Sequence, residues 1–267
     1  MDILDKIVTA KRLEVARMKE AVPLDVLLGF GQQRFGSATR SMRRALEASP
    51  TGIIAEFKRR SPSKGWLCPG AKAGDVVPAY EQAGASACSI LTDTPFFGGN
   101  YHDLPRVRHQ VSLPLLRKDF IIDAYQLYQA RVMGADAVLL IAAILTKNEC
   151  EAFADLARRL GMEVLLEVHS PGELSHLNEN VDMLGVNNRH LGTFHTDVEN
   201  SFRMIRPITS EAGGNAPLLV SESGISDAGT VKKLRDAGFR GFLIGETFMK
   251  TGDPAAALAK FIHQLIT

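Results

Sequence analysis

Acidic and basic side chains interrupt or end apolar segments at several points of this 267-residue sequence. In the stretch 53-IIAEFKRRSPSKG-65, an apolar run is broken by Glu56 and Lys58, which would share one face of a strand because they lie two residues apart. Lys118 and Glu167 stand at the ends of two further apolar runs. Neighbouring positive charge and desolvation each make a lysine a readier acid, and a carboxylate can accept a proton. These four residues therefore predict multistep acid–base chemistry.

Two glycine-containing segments, 221-SESGIS-226 and 244-IGETF-248, each follow an apolar run directly. Backbone N–H groups next to a glycine can approach an anion closely, and the last two strand–helix loops of a barrel often bind phosphate. We therefore expect a phosphate group near Gly224 and Gly245, with tight turns of no further function as the alternative. Together with the acid–base residues, this pattern indicates a phosphorylated substrate.

The elements that would position these residues recur along the chain. Four amphipathic stretches end at a glycine that is followed by an apolar run, and a helix C-cap favours glycine because it needs a left-handed residue. Helix-start signals follow the apolar runs, as a capping-box spacing or as a proline at the first helical position. The glycines are Gly84, Gly134, Gly161 and Gly238, and the start signals lie at Thr146, Ser170, Thr196 and Asp253.

The apolar runs provide eight strand candidates with helical stretches between them. Near-continuous apolar strands of this kind belong to parallel sheets that are covered on both faces. Eight βα units in this length predict an α/β fold, a closed (β/α)8 TIM barrel, as a single domain over residues 1–267. The predicted strands are residues 53–57, 88–91, 115–118, 137–141, 164–167, 183–187, 218–222 and 242–245.

Residues 1–50 precede the first predicted strand and form a predicted N-terminal helical extension. Within them, residues 1–27 have apolar side chains at helical spacing, and Pro23 stops the pattern. This helix either packs on the barrel as an extra element or forms a partial lid. Later in the chain, residues 208–216 are predicted as a loop within the barrel.

Seven of the eight predicted strands end in polar residues, on an otherwise apolar framework. In a barrel of this kind the chemistry takes place at the C-terminal ends of the strands, which converge in space. Any one of these residues could face solvent or hold the rim in an ion pair. A buried charge is unfavourable unless it is paired, so the whole set indicates a functional site. The set comprises Glu56, Lys58, Ser89, Thr92, Lys118, Asp119, Glu167, Asn187, Arg189, Glu222, Ser223, Gly245 and Glu246.

The composition argues against several classes of function. Lys and Arg total 31 against 30 Asp and Glu, so the formal net charge of +1 provides no general attraction to nucleic acid or to an anionic membrane. Cys68, Cys88 and Cys150 are odd in number and widely spaced, which argues against a disulfide framework and a cysteine-based zinc site. Residues 1–20 lack a signal-peptide pattern, and the apolar run 137–145 is too short to cross a bilayer. We therefore expect a cytoplasmic protein with no obligate protein partner.

Two kinds of cofactor are not expected. His169, His190 and His195 follow the fifth and sixth predicted strands, but their spacing places no pair on one helical face. We expect these histidines to face solvent, and we predict no metal site. No G-x-G-x-x-G motif follows the first strand, so a dinucleotide site is not predicted either.

In its motifs the sequence resembles the indole-3-glycerol phosphate synthase family. The resemblance lies in seven motifs that occur in the family's order and span nearly the whole chain, and EFKRRSPSKG and LGVNNR are the most specific among phosphate-binding barrels. The motifs are 54-IAEFKRRSPSKG-65, 89-SILTDTPFFGG-99, 116-LRKDFIID-123, 165-LLEVH-169, 184-LGVNNRHL-191, 220-VSESGIS-226 and 243-LIGETFM-249.

The resemblance implies a reaction of tryptophan biosynthesis without a cofactor. In it, 1-(o-carboxyphenylamino)-1-deoxyribulose 5-phosphate becomes indole-3-glycerol phosphate, with loss of carbon dioxide and water. By motif, Lys118 is similar to the family's general acid, which protonates the substrate ketone while the aromatic ring carbon attacks. Glu167 is similar to the proton acceptor and shuttle of the later dehydration. Glu56 and Lys58 are supporting acid–base and charge partners, and the division of the dehydration between Lys58 and Glu167 stays open.

The resemblance also implies how the substrate is held. Asn187 and Arg189 match residues that bind its polar groups and carboxylate, and Ser223 matches a contact to a substrate hydroxyl. Glu222 is expected among the substrate-binding residues. Phe97, Phe120 and Leu139 would form an apolar wall for the aromatic ring, or else belong to the ordinary core. The expected phosphate-binding residues are Ser61, Lys58, Gly224, Gly245 and Glu246.

The chain departs from the family pattern at two positions. Glu246 stands where some relatives have a small hydroxyl residue, so only its backbone N–H would face the phosphate, because its carboxylate would repel that anion. His190 after Arg189 changes a loop position. Two rival hypotheses stay open: another sugar-phosphate barrel enzyme such as phosphoribosylanthranilate isomerase, and a non-catalytic barrel that binds phosphorylated ligands. In its familiar form the isomerase uses a cysteine and an aspartate, whereas Lys58 ends the first strand here.

Overall fold

Eight parallel strands close into a barrel in the computed structural model, which describes residues 3–35, 37–190, 192, 195–212 and 217–267. Each barrel strand pairs with its neighbours in sequence, and the first strand pairs with the last. This confirms the predicted (β/α)8 fold. The strands are β1 Ile53–Phe57, β2 Ala87–Leu91, β3 Leu115–Lys118, β4 Ala137–Ile141, β5 Glu163–Val168, β6 Met183–Asn187, β7 Leu218–Glu222 and β8 Gly241–Ile244.

Helices precede the barrel and alternate with its strands. Three lie before the first strand: α1 Ile3–Ala21, α2 Leu24–Phe35 and α3 Met42–Ala48. No α-helix in the described ranges is long and apolar enough to cross a membrane. The others are α4 Ala73–Gln82, α5 Thr94–Phe97, α6 Asp103–Arg108, α7 Ala124–Met133, α8 Lys147–Arg159, α9 Glu199–Ala212, α10 Ala228–Asp236, α11 Glu246–Met249 and α12 Pro254–Ile266, with 3-10 turns at Ala142–Ile144 and Pro171–His176.

The local signals set most element boundaries. The predicted strands agree with the observed ones to within one residue at each end. Gly134 ends α7 at a φ of 90°, and Thr146 and Glu149 form both hydrogen bonds of a capping box at the start of α8. Short-range hydrogen bonds of this kind need no tertiary partner, which is why the sequence reveals them.

Two local predictions were wrong, and a third, the helix start at Ser170, was met only by a 3-10 turn. Thr196 does not start a helix, because it pairs with Arg189 in an isolated bridge and α9 begins only at Glu199. Ser170 precedes a short 3-10 turn without a side-chain cap. The predicted loop 208–216 is helical up to Ala212, and its residues 213–216 lie outside the described part of the chain.

Apolar side chains fill two separate layers. Between the sheet and the helices lies the larger layer, which includes Phe57 and Phe242. Inside the barrel lies a second layer, which includes Leu139 and Leu165. Alternate residues of a strand face opposite sides of the sheet, and this divides neighbours in sequence between the two layers.

The N-terminal extension covers both ends of the barrel interior. Met42 and Leu46 of α3 are fully buried in the inner layer, at the end where Ser41 and the Arg43 N–H bind Glu163 at the start of β5. Ile7 of α1 joins the same inner layer. The structure therefore uses the extension as part of the barrel core.

A buried lysine anchors α1. Lys11 Nζ lies 2.9 Å from Asp119 Oδ1, 3.1 Å from Asp93 Oδ2 and 3.0 Å from Glu14 Oε1, and its side chain is 1% exposed. Burial lowers the pKa of Lys11, but the charges of Asp119 and Asp93 raise it more, so the pKa lies above its usual value and the ammonium is retained. Asp119 directly follows the last residue of β3, so this ion pair joins α1 to a strand end.

We expect Lys11→Met to lower the free energy of unfolding by about 3 kcal/mol, because it leaves Asp93 and Asp119 buried without their cation. Lys19→Met is a matched control on the same helix. Lys19 pairs with Asp123 at 2.6 Å, but the side chains are 46% and 32% exposed, so the loss should stay below about 1 kcal/mol. Urea unfolding measures both values. Equal losses in the two variants would show that the buried pair does not anchor α1.

Candidate active site

A cavity of about 370 Å³ opens at the C-terminal ends of the strands. Parallel strands of a closed barrel bring their C-terminal ends to one rim, so residues far apart in sequence meet there. Except for Ser61, Ser89 and Thr92, every site residue predicted from the sequence lines the cavity. These residues are Glu56, Lys58, Phe97, Lys118, Asp119, Phe120, Leu139, Glu167, Asn187, Arg189, Glu222, Ser223, Gly224, Gly245 and Glu246.

The structure does not bring Ser61 to the cavity wall. Ser61 is buried in a short two-stranded ribbon, where it pairs with Gly65 and its hydroxyl accepts a hydrogen bond from the Lys64 N–H at 3.2 Å. Its neighbours Pro62 and Lys64 line the cavity instead. The loop that was predicted to reach the phosphate therefore presents the cationic Lys64 to the cavity, and this residue was not predicted.

Lys118 stands at the centre of the buried charges. Its Nζ donates a hydrogen bond to Glu167 Oε2 at 3.3 Å and lies 3.3 Å from Glu222 Oε2. Burial lowers the pKa of Lys118, yet the carboxylates of Glu222, Glu167 and Glu56 raise it above its usual value. The expectation that positive neighbours make this lysine a readier acid was therefore wrong. The structure therefore favours the ammonium form of Lys118, held by carboxylates.

Glu167 lies between Lys118 and His169. Burial raises its pKa, but Lys118, His169 and a hydrogen bond from Asn187 lower it, and the result lies below the usual value. His169 was predicted to face solvent, and this was wrong. Its side chain is only 14% exposed, with Nε2 3.5 Å from Glu167 Oε1 and Nδ1 3.4 Å from Glu173 Oε2. His190 and His195 are exposed, as predicted.

Glu222 is a buried carboxyl group whose pKa lies above that of an ordinary glutamate. Burial is the main cause that raises its pKa to about 7, and Lys118 only partly offsets this. Neither oxygen has a hydrogen-bond partner among the described residues. Gly185, opposite on β6, makes room for the carboxyl group, because a Cβ atom there would collide with Glu222 Oε1. Glycine inside a predicted strand was the available signal for this close approach.

Glu56 and Lys58 form a second ion pair at the mouth. Lys58 Nζ lies 2.6 Å from Glu56 Oε1. Burial raises the pKa of Glu56, but the charges of Lys58 and Lys118 lower it below the usual value. Gly245 makes room for this carboxylate, since a Cβ atom at that position would overlap Glu56 Oε1. Gly245 thus shapes the acid–base group as well as the predicted phosphate loop.

The loop after β7 has a backbone suited to an anion. Ser223 and Gly224 both have positive φ, 68° and 78°, and Ser223 is the one non-glycine residue in the described ranges with this conformation. Turns that contain left-handed residues can direct neighbouring backbone N–H groups to one side. The Thr247 hydroxyl donates to Ile225 O at 2.8 Å and ties this loop to the one after β8. Thr247 and Lys250 also line the cavity and were not predicted.

Arg189 links three loops around the mouth. Its guanidinium donates to Ser63 Oγ at 2.9 Å, to Thr196 Oγ1 at 3.2 Å and to Glu246 Oε2 at 3.3 Å. Glu246 therefore turns its carboxylate toward Arg189. This arrangement compensates the negative charge that the sequence places at the start of α11.

An apolar wall forms the other side of the cavity. The ring centroids of Phe97 and Phe120 are 5.8 Å apart, and Leu139 belongs to the same wall. Ile3 and Ile7 of α1 complete it. The first helix therefore packs on the barrel as an extra element and also forms part of the cavity wall. The cavity thus combines an apolar wall, buried acids and bases, and the cationic side chains of Lys58, Lys64 and Lys250.

Comparisons with known proteins agree with this geometry. Residues 4–261 match the family model described as indole-3-glycerol phosphate synthase. The chain is 56% identical to the indole-3-glycerol phosphate synthase of Bacteroides thetaiotaomicron, with 99% of each chain covered. It is 42% identical to that of Neisseria meningitidis, over 97% of this chain and 98% of the relative. The solved structure of 3-hexulose-6-phosphate synthase from Salmonella typhimurium shares the fold, with a TM-score of 0.62, 16% identity, and coverage of 80% and 98%.

We expect Glu222→Gln to make stability less dependent on pH. Glu222 has a folded-state pKa of about 7 against an ordinary 4.5, so the wild-type protein loses stability as pH rises between these values, by on the order of 3 kcal/mol. The glutamine cannot ionise, so the variant should not lose this stability as pH rises. The free energy of unfolding in urea at pH 5 and pH 8 measures the difference, with Glu211→Gln on the exposed end of α9 as the control. An unchanged difference between the two pH values in Glu222→Gln would contradict it.

Proposed function

The chain belongs to the indole-3-glycerol phosphate synthase family, and from that premise we propose which of its residues carry out each step of the reaction. The enzyme is a decarboxylating lyase of tryptophan biosynthesis that closes the indole ring of a small phosphorylated substrate. This decides against the isomerase and against the non-catalytic barrel. The observation that supports the assignment of roles best is the burial of Lys118 between Glu167 and Glu222 in the cavity.

The substrate's three chemical parts suit three regions of the cavity. We propose that its aromatic ring packs against Phe97, Phe120 and Leu139, and that its phosphate is bound at the opposite end. There, backbone N–H groups of Gly224, Gly245 and Glu246 would face the anion, with Lys58, Lys64 and Lys250 as neighbouring cations. Ser61 lies outside the cavity wall, so its contact to the phosphate would require movement of its loop.

Polar residues between the two ends would orient the reacting atoms. Arg189 and Asn187 are proposed to bind the substrate carboxylate and polar groups, and Ser223 a sugar hydroxyl. Glu222 would accept a hydrogen bond from a substrate hydroxyl, since its oxygens have no hydrogen-bond partner among the described residues. Its position 3.3 Å from Lys118 also places it next to the proton donor.

Ring closure requires a proton for the ketone oxygen. We propose that Lys118 donates it while the ring carbon forms the new bond, because an ammonium held by carboxylates is both charged and oriented. Loss of carbon dioxide then restores the aromatic ring. The surrounding carboxylates stabilise the charged donor before the transfer.

Dehydration requires one group that accepts a proton from carbon and another that donates a proton to the departing hydroxyl. Glu167, with its lowered pKa, is proposed to accept the proton that leaves carbon, and Lys58 to assist departure of the hydroxyl as water. Glu56, 2.6 Å from Lys58, would hold that ammonium in place. A cytoplasmic location, with the phosphorylated substrate as the sole obligate partner, completes the proposal.

We expect Lys118→Met to reduce kcat by at least about a thousandfold while substrate affinity stays within about tenfold, because general acid catalysis acts on the transition state. Product fluorescence measures turnover and equilibrium titration measures binding. Lys147→Met, at the start of α8, serves as the control and should behave as wild type. Equal losses of affinity and rate would instead make Lys118 a residue that positions the substrate.

Glu167→Gln should slow dehydration more than ring closure, because glutamine retains the shape but cannot accept a proton. We expect a ring-closed intermediate that still carries the hydroxyl group to accumulate in single-turnover experiments. Rapid quenching followed by chromatography detects it. Rapid single-step turnover without this intermediate would exclude the proposed role of Glu167.

A further inference from the structure

Four ionisable side chains form a continuous line from the centre of the mouth to its edge. Lys118 Nζ lies 3.3 Å from Glu167 Oε2, and the other oxygen of Glu167 lies 3.5 Å from His169 Nε2. His169 Nδ1 lies 3.4 Å from Glu173 Oε2. Outward from Glu167, exposure of the side chains rises from 3% to 14% for His169 and 22% for Glu173.

The surroundings hold the imidazole of His169 between the two carboxylates. The His169 backbone N–H donates to Glu173 Oε2 at 2.8 Å, and the Ser170 hydroxyl donates to Glu173 Oε1 at 3.2 Å. From α9, the Asn200 side chain donates to the His169 carbonyl at 3.2 Å. A shift of about half an ångström would convert both ring contacts into hydrogen bonds.

The ring nitrogens contact carboxylates but make no well-formed hydrogen bond in the described part of the chain. Both are buried and lack a hydrogen-bond partner within the described residues. A histidine kept only for packing would normally have its polar atoms paired. Two carboxylates on opposite sides of one imidazole are instead the arrangement that allows a proton to enter at one nitrogen and leave at the other.

The overall reaction creates a need for such a path. Two protons are added to oxygen, one at the ketone and one at the departing hydroxyl, and one proton leaves carbon as the new ring becomes aromatic. The substrate carboxylate departs as neutral carbon dioxide, so each turnover takes up one proton from solvent. Lys118 and Glu167 are 14% and 3% exposed, and substrate in the mouth would cover them further.

We propose that His169 is a positioning and proton-relay residue, which carries protons between Glu167 and the solvent-accessible Glu173. In the inward step, the protonated imidazole releases its Nε2 proton to Glu167 Oε1 and becomes neutral. Rotation of the ring then turns the bare nitrogen toward Glu173, where it takes up a proton that the Glu173 carboxylate has received from solvent, and no bond to carbon changes. The inference rests on the proposed role of Glu167 as the group that exchanges protons with the substrate.

The electrostatics of the surroundings support this role. Burial lowers the pKa of His169, but the close contact with Glu173 and the negative charges of Glu167, Glu173 and Glu222 raise it above its usual value. The neutral Asn200 faces it from α9. The pKa of Glu173 is lowered, because burial is outweighed by its bonds to His169. The surroundings therefore favour the protonated, proton-donating form of the imidazole more than water does.

The test compares His169→Gln with His263→Gln, a control on the exposed side of α12. We expect kcat of His169→Gln to fall by about tenfold to a hundredfold, with KM within about threefold, because a relay affects proton transfer and not binding. The pH profile of kcat should lose its decline above the ordinary histidine pKa of 6.5. A kcat within twofold of wild type, or a rise in KM as large as the fall in kcat, would overturn the proposal.

Two further variants separate the relay from a structural effect and from the role of Glu167. In His169→Ala, added imidazole should restore at least a fifth of the lost activity, and absence of rescue in the folded variant would overturn the relay. Glu173→Gln keeps the ring but should lower kcat at least threefold. If Glu167→Gln is impaired while the His169 variants are normal, the relay alone is wrong; if Glu167→Gln is fully active, both proposals fail.

Discussion

A charged lysine inside a protein barrel is the constraint on which the site depends. Lys118 retains its proton only because carboxylates surround it, and without them burial would favour the neutral amine. The carboxylates in turn need space in a closely packed interior. Gly185 and Gly245 provide it beside Glu222 and Glu56, so the absence of two side chains permits the charge cluster. Stability and reactivity are therefore set by the same few contacts.

The cluster combines groups whose pKa values are displaced in opposite directions. Neighbouring cations lower the pKa values of Glu167 and Glu56, whereas burial raises the pKa of Glu222 to about 7. Similar side chains can thus serve as proton acceptor and as a neutral or partly protonated partner at the same pH. His169 extends the cluster toward solvent, which connects the buried groups to the proton supply that the reaction consumes.

The N-terminal helix belongs to the site as much as to the fold. Lys11 joins α1 to Asp119, the residue directly after Lys118, and Ile3 and Ile7 of the same helix form part of the apolar wall. The pKa of Asp119 falls to about 2 because Lys11 and Arg117 outweigh the effect of burial. Displacement of α1 would therefore change both the wall that faces the ring and the charges beside the proton donor.

The sequence by itself determined the barrel and the set of residues at its mouth. Strand periodicity, glycine C-caps and capping boxes are local signals, and parallel strands must bring their C-terminal ends to one rim, so Glu56, Lys118 and Glu167 had to meet. Only the tertiary structure decided how they pair. Lys118 is surrounded by carboxylates, and His169 lies between two carboxylates. Ser61 lies outside the cavity wall, and Lys11 is buried. Ion pairs and pKa values depend on distances and burial between segments far apart in the chain, which no local pattern encodes.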